Sequence, residues 1–176
     1  MLFLVPVRDY LFTLGRREWV MEIVLPLIVT AGIAKILSVD AAAAGLQDLR
    51  GAVINLLAIF VGFSITSLTC LVSSSNASIK SAKSRVTEHK IGNQAVTFFQ
   101  YIHLTLSYSI IAQLLLLLLN VVALCARLDV ASKEVAWFVA LLNALFLLHV
   151  FAVNLRNVAY IYFLFWSHPE KPLRHD

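Results

Sequence analysis

Residues 107–126 (SYSIIAQLLLLLLNVVALCA) carry no charged side chain, and only Ser107, Tyr108, Ser109, Gln113 and Asn120 interrupt their apolar run. A helix rising 1.5 Å per residue needs about 20 residues to cross the roughly 30 Å hydrocarbon core of a bilayer. A helix buried in a soluble domain needs only one apolar stripe. The block is therefore built for lipid, and three others share its character, at residues 19–39, 51–75 and 135–157. Composition excludes a soluble globule of this size: 60% of the 176 residues are hydrophobic and only 14% are charged, too few to coat a water-facing surface. The expected fold is all-α and polytopic, a single domain of four transmembrane helices with an N-terminal interfacial helix and cytoplasmic helix extensions.

The first crossing, 19–39, is interrupted by Glu22, Pro26 and Lys35, but the two charges lie at opposite ends, where long side chains reach the headgroups. Arg16 and Arg17 stand one to two turns before Glu22, so a headgroup-level ion pair is expected there. Ahead of it, residues 1–18 mix Leu2, Phe3, Leu4, Tyr10, Leu11 and Phe12 with Arg8, Asp9, Arg16 and Arg17. That pattern suits a helix lying in the interface; no basic residue precedes the apolar start, so a cleaved signal peptide is not expected. The second crossing ends at the serine cluster 73–75, the third occupies 104–126, and the fourth runs over 135–157. The aromatic continuation, 158–166, is expected at headgroup level or against a neighbour, within a tail ending at 176.

Counting Lys and Arg on either side of four crossings sets the orientation. Arg8, Arg16, Arg17, Lys80, Lys83, Arg85, Lys90, Arg156, Lys171 and Arg174 fall on one side; Lys35, Arg50, Arg127 and Lys133 fall on the other. Ten against four places both termini and the central segment, 76–103, in the cytoplasm. The outer connections are read as short and neutral, because Asp40, Asp48, Asp129 and Glu134 balance their four cations. The central segment holds Lys80, Lys83, Arg85 and Lys90 against Glu88 alone, a net +3 of the chain's +4. At 25 residues, 76–100 is long for a bundle connection, and helical extension with a protein-docking role is expected of it; Lys80, Lys83 and Arg85 also suit anionic lipid.

Within the membrane, Gly62, Thr66 and Cys70 recur every four residues, with Asn55 and Ser73 near the same face. Small and hydroxylated residues at that spacing form either a packing seam or, in an oligomer, the lining of a water path. Ser109, Gln113 and Asn120 in the third block, and Asn143, Asn154 and Asn157 in the fourth, also fall at helical intervals. Amides in lipid seek partners, so both stripes are expected to face a bundle core or subunit boundary, each interhelical bond contributing roughly 0.6 to 2 kcal/mol. His149 and Arg156, two turns apart on one face, are the ionisable pair to which gating or proton relay is assigned; a quiet hydrogen-bonded imidazole and an arginine reaching for phosphate are the alternative.

Cys70 and Cys125 stand alone in apolar segments, with no metal-ligand spacing. No phosphate-cradling loop, HExxH, GxSxG or paired-carboxylate arrangement occurs. No catalytic centre and no cofactor is expected. Neither is direct nucleic-acid binding.

The layout, from the GRREW start through the SLTCLVSSSN exit to the aromatic YIYFLFW stretch, resembles the membrane subunit of the bacterial Kiwa anti-phage system over its full length. That resemblance implies a non-enzymatic homo-oligomeric sensor in the bacterial inner membrane, with a tetramer as the first expectation, that recruits a DNA-binding cytoplasmic partner. A pore-forming effector or small ion channel is the competing class, lined by the Gly62, Thr66, Cys70 and Ser73 face and gated by His149 or Arg156.

Overall fold

The computed structural model describes residues 4–125 and 132–166. Its four long helices, Arg16–Ile36, Val39–Ser73, Phe98–Cys125 and Lys133–Trp166, each hold a span long and apolar enough to cross a membrane. They run alternately up and down as an all-α polytopic membrane fold. Large apolar side chains cover the outside: Ile59, Leu119, Phe138 and Phe163 are all well exposed, as expected of surfaces that meet hydrocarbon.

The second helix departs most from the sequence expectation. It spans 35 residues and begins at Val39 rather than 51, so the outer connection read over 40–50 is helical. The physical reason is local: Ser38 caps the helix by accepting from the Ala41 N–H at 3.2 Å, and the alanine run 41–44 is the strongest helix former available. At about 52 Å this helix outreaches any bilayer core. Arg50, assigned above to the outer side, is wholly buried within the bundle. Asp40 and Lys133 do meet at that end, paired at 2.6 Å, and the Trp137 indole donates to the Leu37 carbonyl at 2.9 Å.

At the opposite end the N-terminal helix is Val5–Thr13. Arg16, Arg17 and Glu18, read above as part of it, belong instead to the first long helix. The central segment folds into a short helix, Ala77–Ser84, and an antiparallel hairpin, Val86–Ile91 with Gln94–Thr97. This replaces the expected helical extension over 86–97. Gly92 at φ 60° supplies the left-handed residue that a two-residue hairpin turn needs. Asn76 caps the short helix through Ile79 N–H at 2.9 Å. Thr97 and Gln100 form a reciprocal capping box, at 3.3 and 2.9 Å, that starts the third helix at Phe98 rather than 104. Ile79 and Ala82 pack with Leu71, Ile102, Leu106 and Leu164, so the central segment is docked on the bundle. The fourth helix runs unbroken to Trp166, so the aromatic continuation assigned to the tail is part of that helix, and its Leu164 packs with Leu71 and Ile102. Arg127, Lys171 and Arg174, used in the orientation count, and Asp129, used in the charge balance, lie outside the described residues, as does the tail from 167.

Candidate functional site

Pro26 is where the site begins. Proline has no N–H, so the carbonyl four residues before it, that of Glu22, loses its helical partner. The helix responds with a π turn over Val20–Val24, in which the Leu25 N–H bonds back to the Val20 carbonyl. The released Glu22 carbonyl is taken by the His149 ring of the fourth helix, Nδ1 to O at 2.7 Å. A carbonyl only accepts, so Nδ1 carries the proton. In the neutral ring Nε2 then accepts from the Tyr108 hydroxyl at 2.6 Å.

The Glu22 side chain completes the junction. It is 1% exposed, and one carboxylate oxygen pairs with Arg156 Nη1 at 2.9 Å while the other accepts from the Tyr10 hydroxyl. Burial pushes the Tyr10 phenol above the ordinary tyrosine range, with Arg156 opposing the shift, so Tyr10 remains a donor at neutral pH. The guanidinium of Arg156 lies 5.4, 5.9 and 5.8 Å from the rings of Tyr10, Tyr101 and Tyr160, within cation–π range. Tyr10 stacks on Tyr108. His89 of the hairpin stacks on Tyr101 and donates through Nδ1 to the Thr13 carbonyl at 2.9 Å. One glutamate thus clasps the N-terminal helix, the first helix and the fourth, and a histidine adds the hairpin. The headgroup-level pairing expected between Glu22 and Arg16 or Arg17 is corrected: both arginines are exposed, and the carboxylate turns inward.

Around Gln113, deeper in the bundle, the polar groups are neutral. Gln113 Nε2 lies 2.8 Å from Ser109 Oγ, 3.1 Å from Ser64 Oγ and 3.2 Å from Asn154 Oδ1. Asn120 donates to Asn143 Oδ1 at 2.7 Å. These amides tie the second, third and fourth helices together, and Asn157 is buried beside them in sequence.

The other sequence-designated residues lie elsewhere. Asn55, Gly62, Thr66, Cys70 and Ser73 are all exposed on the second helix, turned away from the other three. Thr66 and Ser73 satisfy their hydroxyls on their own backbone, at 2.8 Å to Gly62 O and 2.7 Å to Thr69 O. Lys80, Lys83, Arg85 and Lys90 are exposed on the short helix and hairpin, Lys83 resting over the Phe99 ring and Arg85 over Phe98. His149 and Arg156 do come together, but through Glu22. The sequence reading missed Tyr10, Tyr101, Tyr108 and Ser64 as members of these networks; the one local signal was a proline four residues after a glutamate. No family model matches this chain, and no curated protein or solved structure matches it.

Proposed function

We propose that this membrane protein is a non-enzymatic oligomeric scaffold and sensor of the bacterial inner membrane, acting in anti-phage defence and docking a cytoplasmic protein through a basic face. The observation that carries the reading is the central segment. A connector with no role beyond joining two helices needs no fold, yet here residues 76–97 form a capped helix and a hairpin, held on the bundle by Ile79, Ala82 and His89. Four cations, Lys80, Lys83, Arg85 and Lys90, are exposed on that segment, with Lys83 and Arg85 lying over the Phe99 and Phe98 rings where it meets the third helix. A rigid, positively charged platform steers and orients an acidic partner surface. The excess of Lys and Arg on this side argues for the cytoplasm, and the resemblance to the Kiwa membrane subunit supplies the defence setting and a DNA-binding partner. In this reading the exposed Gly62, Thr66 and Cys70 face is the contact between copies, where small residues permit close approach.

The clasp suits the sensing half of the role. Tyr10 and His89 connect the two water-facing elements to the spanning helices, so a displacement of the first helix within the bilayer is transmitted to the platform. The test is co-purification from the native host of the wild type and a K80E/K83E/R85E variant. Loss of a stoichiometric cytoplasmic partner with the oligomer retained is expected; an unchanged set of partners would overturn the docking role. The outward polar stripe of the second helix also favours a second reading, a pore formed where several copies meet. Single-channel recording of purified protein in planar bilayers separates the two, since conductance without a partner belongs only to the pore.

A further inference from the structure

The first helix packs on the fourth and makes little contact with the third. The N-terminal helix, which rests on the third, roofs the gap between them at one end. Beneath that roof lies a cavity of about 440 Å³, within the size range of sites that hold a small ligand. Its walls are apolar apart from Glu22, Tyr108 and His149 at the roofed end. Those three are already engaged with one another or with Tyr10 and Arg156, so nothing there calls for a polar ligand group inside the cavity. Several wall residues, Leu27, Leu115, Leu119 and Phe146 among them, are also exposed. The cavity therefore opens sideways into the surrounding hydrocarbon.

Its dimensions identify the occupant. Along the third helix the wall runs from Tyr108 to Leu119, eleven rises of 1.5 Å or about 16 Å, which is half of a roughly 30 Å hydrocarbon core. That is the depth of one leaflet and the reach of one acyl chain. Arg16 and Arg17, both exposed, stand about 8 Å before Glu22 along the first helix, at the level where such a chain would meet its headgroup. We propose that this groove is a binding site for one acyl chain of an anionic phospholipid, with the phosphate held at Arg16 and Arg17 and the chain lying along Ile111, Leu115 and Phe146. The groove takes no residue from the second helix or the central segment, so the site stands or falls independently of the scaffold role.

The full chain in phosphatidylcholine nanodiscs, doped with phosphatidylglycerol bearing a diazirine in one acyl chain, provides the test. After irradiation, mass spectrometry maps the adducts. Adducts should concentrate on Ile111, Leu115 and Phe146 over Ile59 and Phe138, which face lipid outside the groove. Excess unlabelled phosphatidylglycerol should remove them, and excess phosphatidylcholine should not. Leu115→Trp, which fills the groove at an already exposed residue, should lower the groove signal several-fold while adducts at Ile59 persist as an internal control on folding. An R16Q/R17Q variant, which removes two cations, should lower it about 30-fold, given roughly 1 kcal/mol per basic residue at an anionic surface. Adducts spread evenly over the lipid-facing residues, or competition by phosphatidylcholine as strong as by phosphatidylglycerol, would overturn the site.

Discussion

Two polar regions lie within one apolar bundle, and they are built on opposite principles. The clasp at Glu22 holds full charges: a carboxylate and a guanidinium sequestered together, with tyrosines on every open side. The layer around Gln113 holds only amides and hydroxyls. An amide stripped of its partner in hydrocarbon loses a modest amount, because neutral groups find substitutes on their own backbone, as Asn154 does at the Val150 carbonyl, 2.8 Å away. A buried charge stripped of its counter-ion has no such recourse. The amide layer therefore aligns three helices tolerantly, whereas the clasp is all or none.

The largest test of that difference is Arg156→Ala, which leaves Glu22 charged and buried and should destabilise the fold by about 3–5 kcal/mol. The measurement is an SDS titration in mixed micelles that follows loss of helix. Glu22→Leu with Arg156→Met, which removes both charges, should recover most of that loss. If the double variant is as unstable as the single, the clasp is not an ion pair in energetic terms and the contrast with the amides fails. Next in size is Tyr10→Phe. It deletes one hydrogen bond to an ionised group and should lower stability by about 1.5–3 kcal/mol, and it should also loosen the N-terminal helix, read as faster amide exchange over Val5–Thr13.

How far these regions could be read in advance follows the same division. Four crossings were legible because hydropathy over some 20 residues depends on the lipid alone, and the burial of Gln113, Asn120, Asn143 and Asn154 was legible because amides avoid hydrocarbon. The start of the second helix was not, since Asp48 and Arg50 imitate a loop on a hydropathy scale while Ser38 and the alanines after it encode a helix. The hairpin carried its own signal, Gly92 and Asn93 between two short runs containing Val, Ile and Thr, which the basic charge of the segment obscured. The clasp was hidden more deeply. Tyr10 and Glu22 stand 12 residues apart on two elements, but His149 and Arg156 come from a helix more than a hundred residues further on, and no local spacing encodes which charge meets which. Reading Glu22 together with Pro26 gives only the freed carbonyl, not its partner.

The amide layer supplies the intermediate effect. Gln113→Ala removes a hub that touches Ser64, Ser109 and Asn154, and should lower stability by roughly 0.6–2 kcal/mol; Gln113→Leu should lose less, because it keeps the volume and removes the buried amide altogether. A loss for Gln113→Leu as large as that for Arg156→Ala would mean that the layer, too, is all or none.

The smallest effect should come from an ion pair that water reaches on both sides. Asp40 and Lys133 are 2.6 Å apart, closer than Glu22 and Arg156 at 2.9 Å, yet their side chains are 79% and 66% exposed. If separation decided the matter, Asp40→Asn would be as damaging as Arg156→Ala. Screening by water and the freedom of an exposed lysine argue the reverse, and this end of the bundle keeps Ala42, Leu46, Ala136 and Ala140 packed whether or not the pair forms. Asp40→Asn should leave the SDS midpoint where it is at both low and high salt. A salt-dependent fall comparable to that of Tyr10→Phe would show that this end of the bundle is also held by charge, and that burial is not what separates the clasp from the rest of the molecule.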